Sequence, residues 1–420
     1  MKTGQRKLFG TLRDLKVINA SSVVAGPFTC ELFAEQGADV IQIESTRVPD
    51  MYRMYLESWL QERANQRSIS LNIPTPEGKE VLSRLLKDAD ILVESSRGGT
   101  WSRWGLDDDT LWSINPRLVI VHVSGFGQQG DPAYLERASF DSIGQAFSGY
   151  MSINGFPDPL PPYVTKPFLG DFLAGLFAAW AALAAYIRAT KTGHGESIDM
   201  AQFEALVRIQ GSYLSDGINL GKQAERMGNL DTVGACKGTQ QCRDGWIFIA
   251  VGGAKPIANM IRFFGLESDP DFQGPMQSIT RDHPERARKF NEKIEGYCAQ
   301  HTVAEVEETL GKAGVALSPI MKYRDMLENS HYQARDVFID LPKSPDGRAV
   351  KGIQPIPRFA RNPSEIVRSG APYDYDTEDV LQEIGYDAQE IADLYEKGIL
   401  FSQSLTDIDR KSRIERNANE

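Results

Sequence analysis

The most constraining feature of this 420-residue sequence is a series of short apolar segments that alternate with helix-like segments between residues 15 and 125. The apolar segments are Leu15–Asn19, Asp39–Glu44, Ile91–Glu94 and Leu118–Val123. Strands this apolar are typical of a parallel sheet with helices on both sides, because neither face of the sheet then meets water. The sequence therefore predicts an α/β fold with a large, Rossmann-like, doubly wound parallel-sheet domain.

The rest of the sequence predicts two more helices, a smaller domain and a C-terminal segment. An alanine-rich helix is expected at Asp171–Arg188 and another helix at Ser197–Asp216, whereas the stretch between the second strand and residue 75 reads as irregular. Farther on, the strand in CRDGWIFIAVGG and the helical segments after it predict a smaller α+β domain. The tail has two acidic amphipathic helices but no core of its own, so we expect it to return to the large domain. The predicted boundaries are 1–220, 221–330 and 331–420.

Composition argues against several classes of protein. The formal net charge of −11 is opposite in sign to that of a general nucleic-acid binder. The four cysteines form no CxxC pair and the five histidines no HExxH motif, so neither a disulfide scaffold nor a metal site is predicted. The N-terminal segment lacks the apolar stretch of a secretory signal, and the longest apolar run, Phe172–Ile187, is shorter than the roughly 20 residues that span a bilayer. We expect a cytoplasmic protein that binds neither membranes nor nucleic acid.

A glycine-rich segment, Gly125–Gly130, matches the GxGxxG pattern of dinucleotide-binding folds directly after a predicted strand. That fingerprint requires a helix to begin at the third glycine, so that the helix N-terminus faces a pyrophosphate. Here Asp131-Pro132 follows, and the segment comes after the fourth strand rather than the first. We therefore interpret it as a glycine-rich turn. Glu44, at the position of a ribose-binding acid, is then interpreted as an exposed strand-end carboxylate.

Two arginines follow the third predicted strand, at the sheet edge where ligands bind in parallel α/β folds. Arg97 and Arg103 flank a glycine pair, and they could hold phosphate groups or remain solvated loop charges. Trp101 and Trp104 lie in the same loop and could stack on a base or pack beneath it.

Asp171 lies at the start of the alanine-rich helix, in the segment PFLGDFLAG. An acid at this point is typical of a helix N-cap or first turn, but the neighbouring glycines also leave room for a substrate beside a carboxylate nucleophile. Gly252 and Gly253 follow the strand of the smaller domain, where they could form a turn or a lid whose backbone N–H groups cover a reactive carbonyl.

Together these segments resemble the class III CoA-transferases, the family of formyl-CoA transferase and carnitine CoA-transferase. The resemblance covers roughly residues 10–400 and rests on the order and spacing of several segments. They are AGPF at 25–28, GADVIQIE at 37–44, RSISLNI at 67–73, PEGK at 76–79, ILVESSRGGTWSRWG at 91–105, NPRLVIVHVSGFGQQG at 115–130, GDFLAG at 170–175 and GHGESIDMAQFEAL at 193–206. The runs LVIVHVSGFGQQG, QAFSGY and GESIDMA look most like the carnitine (crotonobetainyl-CoA) branch.

The resemblance implies an acyl-CoA:carboxylate CoA-transferase that uses coenzyme A as a co-substrate and no metal. The family's nucleophile falls on Asp171, which would form an aspartyl–acyl anhydride and then an aspartyl-CoA thioester, and the family's glycine loop falls near Gly252 and Gly253. The positions that match CoA-binding residues of the large domain are Val23, Val24, Ala25, Leu71, Ile73, Arg97 and Arg103. The implied partners are an acyl-CoA donor, a small carboxylate acceptor and a second copy of the chain in an interlocked homodimer.

The substrate acid and two other functions stay open. The carnitine likeness suggests a betaine-like carboxylate, and Tyr52, Tyr55 and Trp59 could cage a quaternary ammonium or simply pack in the interior. A related acyl-CoA racemase or epimerase would need a histidine near the GD segment, and none lies between His122 and His194. A non-catalytic protein that binds CoA or a nicotinamide cofactor is the third alternative.

Overall fold

The computed structural model describes residues 7–230, 237–273 and 284–401. These residues form two compact units. The first contains the chain up to residue 150, residues 165–214 and the chain from residue 335 onward, and the second contains residues 151–164 and 215–334.

A six-stranded parallel sheet lies at the centre of the first unit. Its strands are β1 (Lys16–Ala20), β2 (Asp39–Glu44), β3 (Arg67–Ser70), β4 (Ile91–Glu94), β5 (Val119–Ser124) and β6 (Ser197–Ala201). They lie in the order β3-β2-β1-β4-β5-β6, so the winding reverses between β1 and β4. In doubly wound folds, ligands bind outside the carboxyl ends of the strands at this reversal. The prediction of an α/β fold with a parallel sheet is confirmed.

The described chain also contains many helices. In chain order they are α1 (Ala25–Glu35), α2 (Leu56–Glu62), α3 (Pro76–Leu86), α4 (Thr100–Arg103), α5 (Asp108–Ile114), α6 (Pro132–Leu135), α7 (Asp141–Phe147), α8 (Leu169–Thr192), α9 (Gln202–Arg208), α10 (Gly211–Leu220), α11 (Ala254–Phe263), α12 (Pro284–Gln300), α13 (Val303–Lys312), α14 (Tyr323–Glu328), α15 (Ser330–Ala334), α16 (Thr377–Glu383) and α17 (Ala388–Glu396). Three short 3₁₀ segments are Met51–Met54, Tyr150–Ile153 and Pro270–Phe272.

Two strands differ from the sequence-based expectation. The stretch before residue 75, expected to be irregular, contains α2 and β3, and the strand β3 has only four residues, three of them polar. A helix at Ser197–Asp216 is wrong for its first five residues, because Ser197–Ala201 pairs with β5 along its length and forms an edge of the sheet. Helices α9 and α10 follow it.

The alanine content of α8 is explained by close packing against α1. Ala174, Ala178 and Ala182 are fully buried on the face of α8 that meets α1 and the sheet. A Cβ at Gly175 would lie 2.7 Å from the backbone oxygen of Ala25, so a larger residue would force the two helices apart. Among the described residues, α8 is the one helix long and apolar enough to cross a membrane, and its buried alanine face is that of a core helix.

The C-terminal segment completes the other face of the sheet. Helices α16 and α17 contribute Val380, Leu381, Ile391 and Leu394 to the hydrophobic cluster that also contains α3. Ahead of them, β10 (Phe338–Asp340) and β11 (Lys351–Ile353) form a small antiparallel hairpin.

The second unit is built on an antiparallel sheet of β7 (Lys237–Gln241), β8 (Trp246–Ala250) and β9 (Ala316–Pro319). Along β8 the side chains alternate, so Ile247 and Ile249 are buried while Trp246 and Phe248 face outward. Helices α11, α12 and α13 cover the buried face with Met260, among others.

Candidate active site

A cavity of about 280 Å³ lies at the carboxyl ends of β1, β4, β5 and β6. Its walls are residues that follow these strands, together with the start of α8 and the loop around residues 135–140. A second cavity, of about 490 Å³, shares Ser22, Val23 and Ser96 with the first and extends past β2 and β3 toward Trp101 and Trp104. Because three residues border both, the two cavities adjoin, and they flank the reversal between β1 and β4.

Asp171, in the first turn of α8, is the carboxylate in the wall of the first cavity. The side-chain amide of Gln202 donates a hydrogen bond to Asp171 Oδ1. Burial and the nearby charges of Asp141 and Glu62 raise the pKa of Asp171 to about 7, against the opposing effect of the Gln202 hydrogen bond. Near neutral pH, Asp171 is therefore present both as a carboxylate and as a carboxylic acid.

Asp141, the first residue of α7, holds the backbone just before Asp171. Its Oδ1 accepts the Gly170 N–H at 2.6 Å and its Oδ2 accepts the Gln145 amide at 2.7 Å. Gln145 is fixed in turn by two hydrogen bonds of 2.8 Å to the backbone of Thr165. A Cβ at Gly170 would lie 3.1 Å from Asp141 Oδ1, so the absence of a side chain there allows the close approach.

Val23, which borders both cavities, adopts a left-handed backbone with φ of 69°. This conformation is strained for a β-branched residue and persists only where its surroundings enforce it. Here Asp50 accepts the Val23 N–H at 3.0 Å, and the Arg63 guanidinium donates to the Val23 carbonyl at 2.7 Å. Asp50 and Arg63 are themselves an almost fully buried ion pair at 3.3 Å. The backbone between the two cavities is therefore held in place from both sides.

A buried charge network supports the loop after β4. Glu94 accepts the Ser96 N–H at 2.6 Å with one carboxylate oxygen and lies 2.7 Å from His122 Nδ1 with the other. His122 Nε2 lies 3.0 Å from Asp108. Burial lowers the pKa of His122, but the hydrogen bonds to Asp108 and Glu94 outweigh it and raise the pKa to about 9. The protonated His122 ring thus holds the Glu94 carboxylate in place, and Glu94 in turn holds the Ser96 backbone of the loop after β4.

Comparison with known proteins places this geometry in a family. The family model described as CoA-transferase family III matches residues 12–377. The chain belongs to this family, and it is a transferase. The resemblance to class III CoA-transferases is thereby confirmed.

The similar proteins cover nearly the whole chain. It is 39% identical over 400 residues to the bile acid CoA-transferase BaiK of Clostridium scindens, which covers 94% of this chain and 90% of that protein. A CaiB/BaiF family protein from Brucella suis has a similar structure, with a TM-score of 0.77, 26% identity, and coverage of 90% of this chain and 100% of that chain. Rv3272 from Mycobacterium tuberculosis shares the fold, with a TM-score of 0.74, 21% identity, and coverage of 88% and 99%.

Most of the site residues expected of a class III CoA-transferase lie at the two cavities. Those that line the first cavity are Val23, Val24, Ala25, Arg97 and Asp171. Leu71 and Ile73 line the second. Arg103 lines neither: it is more than half exposed, donates to Thr100 Oγ1 at 3.0 Å and lies 3.7 Å from Glu136.

Gly252 and Gly253 belong to the second unit, directly after β8. Gly253 has a φ of +86° and precedes the first turn of α11. This left-handed conformation favours glycine. The assignment of these two residues to the transferase site stays a prediction.

The structure answers an open question about Trp59 and shows that the expectation for Glu44 is wrong. Trp59 is almost fully buried, and the guanidinium groups of Arg53 and Arg63 lie 3.8 and 4.8 Å from the centroid of its ring, so Trp59 packs inside the protein instead of forming a ligand cage. Glu44, expected to be exposed, is only 3% exposed, because it forms an ion pair with Arg53 at 2.6 Å. Tyr52 is buried as well, whereas Tyr55 is about half exposed.

The interpretation of Gly125–Gly130 as a turn is confirmed. Ser124 Oγ accepts the Gly127 N–H at 2.9 Å, and the Asp199 carboxylate accepts the Gln128 N–H at 2.9 Å. The next helix, α6, begins only at Pro132 and has four residues. The segment thus provides wall residues of the first cavity, Gly125 and Phe126, rather than a pyrophosphate site.

Sequence reasoning assigned no role to several residues that shape the site. They are Asp50, Arg63, Asp141, Gln145 and Gln202. Gln145 and Gln202 lie inside the segments QAFSGY and GESIDMAQFEAL, which carried the family resemblance but gave no role to individual residues. Gln202 is 31 residues from Asp171, so only the fold brings the two side chains together.

Proposed function

We propose that this class III CoA-transferase exchanges CoA between bile acids, or similarly large and apolar carboxylic acids, with Asp171 as the covalent nucleophile. The observation that carries the proposal is a carboxylate with a pKa of about 7 in the wall of a cavity at the reversal of the sheet. A carboxylate of raised pKa is a better nucleophile and still ionises near neutral pH.

In the first half of the reaction, Asp171 attacks the thioester carbonyl carbon of the donor. The carbon–sulfur bond breaks, CoA leaves as a thiolate, and Asp171 is left as a mixed anhydride with the acyl group. The thiolate then attacks the aspartyl carbonyl carbon, and the donor acid leaves as a carboxylate. Asp171 now carries CoA as a thioester, which conserves the energy of the donor bond.

In the second half, the acceptor carboxylate attacks the aspartyl thioester and releases the thiolate again. The thiolate attacks the acyl carbonyl of the new anhydride, giving the product CoA thioester and a free Asp171. Each step exchanges one activated acyl bond for another, so the sequence runs in either direction. The developing oxyanions need backbone N–H donors, and we propose Gly252 and Gly253 for this role because the family's glycine loop falls near them.

The two adjoining cavities fit a long substrate such as an acyl-CoA. We place the thioester beside Asp171 in the first cavity and the CoA moiety along Val23 toward Leu71 and Ile73 in the second. Arg97, which lines the first cavity, provides a guanidinium for an anionic group. Apolar walls with a few polar groups are typical of such sites.

Two observations favour bile acids over betaines as the substrate acid. The relative that is 39% identical over 400 residues is a bile acid CoA-transferase. The aromatic residues suggested for an ammonium cage include Trp59, whose ring is buried against Arg53 and Arg63. A further positive charge at that ring would be repelled by the two guanidinium groups.

The racemase alternative has less support. A racemase of the related family needs a histidine to move the α-proton, and no histidine is among the residues that line the first cavity in the described part of the chain. His122 is the last histidine before Asp171 in the sequence, but Glu94 and Asp108 contact both of its ring nitrogens.

The test is an acceptor competition followed by trapping of the covalent intermediate. With cholyl-CoA as donor, we expect rapid CoA transfer to chenodeoxycholate and little or none to carnitine. Incubation with donor alone should give an adduct on the peptide that contains Asp171, detected by mass spectrometry after hydroxylamine treatment. Transfer to carnitine with no transfer to bile acids would contradict the substrate class, and an adduct on another residue would contradict the nucleophile.

We also propose that the protein acts as the interlocked homodimer that its family implies. The outer face of α8 carries Leu176, Trp180 and Ile187, which are 48%, 71% and 55% exposed, so a contiguous apolar stripe lies uncovered in the single chain. Trp180→Glu should shift the mass measured by light scattering from dimer to monomer. The matched change Trp246→Glu, at an exposed tryptophan on β8 of the second unit, should leave the mass unchanged.

A further inference from the structure

We infer that Gln202 is a catalytic residue of the transfer reaction: its side-chain amide first holds the Asp171 carboxylate for attack and then stabilises the negative charge that develops on Asp171 Oδ1. The inference rests on the proposed role of Asp171 as nucleophile. It assigns a reaction step to a residue for which sequence reasoning gave none.

The position of Gln202 is set by its immediate surroundings. It is the first residue of α9, directly after β6, and only 5% of it is exposed. Its Nε2 donates to Asp171 Oδ1, and both side chains line the first cavity. On the other side of the amide, Ser139 Oγ donates to Gln202 Oε1 at 3.5 Å.

Gly144 on α7 leaves the space that the amide occupies. A Cβ at that position would lie 2.8 Å from Gln202 Oε1 and 3.2 Å from its Cδ. The amide is therefore enclosed by Gly144 and Ser139 on its oxygen side and by Asp171 on its nitrogen side. This enclosure fixes which end of the amide faces the nucleophile, as a preorganised hydrogen-bond donor requires.

A neutral donor suits the state before attack. A lysine or arginine in this place would pair with Asp171, lower its pKa and weaken it as a nucleophile. An apolar residue would leave burial and the charge of Asp141 unopposed. The amide instead holds Oδ1 without adding charge, which leaves the second oxygen, Oδ2, to attack the thioester carbonyl.

The same hydrogen bond is in place when the aspartyl group becomes the electrophile. When the CoA thiolate attacks the anhydride at the Asp171 carbonyl carbon, the carbonyl electron pair moves onto Oδ1, which the Gln202 N–H already contacts. The charge returns as the bond from carbon to the bridging oxygen breaks and the donor acid leaves as a carboxylate. No proton and no further reactant is needed for this step.

The experiment compares Gln202→Leu with Gln210→Leu, a matched change at a buried glutamine that donates to the Ser148 carbonyl at 2.9 Å and does not line the cavity. Single-turnover mixing with cholyl-CoA measures the rate of aspartyl-CoA formation on Asp171. We expect Gln202→Leu to slow it by about 10²- to 10³-fold, which is the range for removal of one oxyanion donor. CoA affinity, measured by calorimetry, should change less than threefold, and Gln210→Leu should keep the wild-type rate.

The pH dependence separates a catalytic role from a merely structural one. Activity requires ionised Asp171, so kcat/KM should fall as the pH drops through about 7 in the wild-type enzyme. Because the Gln202 hydrogen bond lowers the pKa of Asp171, its loss in Gln202→Leu should move this limb to higher pH. Gln202→Glu, which adds a like charge at nearly constant volume, should move the limb at least as far.

The possible outcomes distinguish this inference from the function on which it rests. If Asp171→Asn is inactive but Gln202→Leu forms aspartyl-CoA within threefold of the wild-type rate, or keeps the wild-type pH limb, the role of Gln202 is overturned and the proposed function stands. If Asp171→Asn itself transfers CoA at the wild-type rate, the proposed function fails. Should Gln202→Leu not fold, the rate and pH limb of Gln202→Glu decide by the same criteria.

Discussion

Two buried charged side chains at opposite ends of the central sheet, Arg67 and Asp171, have opposite electrostatic surroundings. At the amino ends of the strands, Arg67 lies between Asp39 at 2.9 Å and Glu383 at 2.6 Å, so its charge is compensated. At the carboxyl ends, Asp171 and Asp141 lie near each other, and neither forms an ion pair within the described residues. A charge that is paired on both sides stabilises the fold, whereas neighbouring like charges without a cation raise a pKa and prepare a group for chemistry. The comparison predicts that substitutions at Arg67 and at Asp171 affect different properties.

The largest effect is expected for Asp171→Asn. Loss of a covalent nucleophile typically lowers kcat by 10⁴-fold or more, and the amide cannot form the anhydride. Steady-state transfer with cholyl-CoA measures the loss, and circular dichroism checks that the fold is retained. A variant with more than one-hundredth of wild-type activity would contradict the assignment.

The same substitution should stabilise the protein above neutral pH. The pKa of Asp171 is about 7 in the folded protein against an ordinary value of 3.8, so the ionised form costs up to about 4 kcal/mol of unfolding free energy above pH 7. Below pH 3.8 the cost vanishes because the acid is protonated in both states. The stability advantage of Asp171→Asn, from urea unfolding, should therefore shrink as the pH falls from 8 to 4.

At the opposite edge, Arg67→Met should lower stability and leave chemistry intact. The substitution removes the cation that both Asp39 and Glu383 bind, and breaking a buried pair of this kind costs about 3–5 kcal/mol. Urea unfolding measures the cost, and kcat per folded molecule should match the wild type. An Arg67→Met variant with full stability and reduced kcat would contradict the assignment of Arg67 to stability rather than to catalysis.

The pairing of charges across the fold also explains why some strands were predicted from the sequence and β3 was not. Strands β1, β2, β4 and β5 each carry at least three apolar residues that supply the core, so their pattern can be read from the local sequence. Strand β3 is buried although it begins with Arg67, because Glu383 and Asp376, more than 300 residues away, accept hydrogen bonds from its polar groups. These distant hydrogen-bond partners cannot be recognised from the sequence around β3.

The site was predicted in the same uneven manner. Asp171, the proposed nucleophile, and the β1 loop lie in motifs that carry the family resemblance, so they could be named from the sequence alone. Gln202 and Asp141 matter only through contacts made across the fold. The sequence left open whether Trp59 packs in the interior or lines a cage, because stacking of Arg53 on Trp59 depends on tertiary packing that residue type does not reveal.

His122 provides a smaller and pH-dependent test at the carboxyl edge. Its pKa of about 9 lies above the ordinary 6.5, so the stability it contributes is complete below pH 6.5 and is lost as the pH rises through 9. The difference in unfolding free energy between wild type and His122→Asn should therefore fall by about 3 kcal/mol between pH 6 and pH 10. A difference independent of pH would mean that the imidazole is neutral in the fold.

The smallest effect is expected at the two loop arginines, and it bears on where the anionic groups of CoA bind. Arg97 lines the first cavity and Arg103 does not, although both side chains are exposed. Arg97→Gln should raise the KM for acyl-CoA on the order of tenfold, the effect of losing one charge-assisted hydrogen bond, without changing kcat. Arg103→Gln should raise it less than threefold, and the Arg97 effect should decrease in 0.5 M salt because exposed charges are screened. A larger effect at Arg103 than at Arg97 would place these groups outside the cavity, along the surface that Arg103 shares with Glu136.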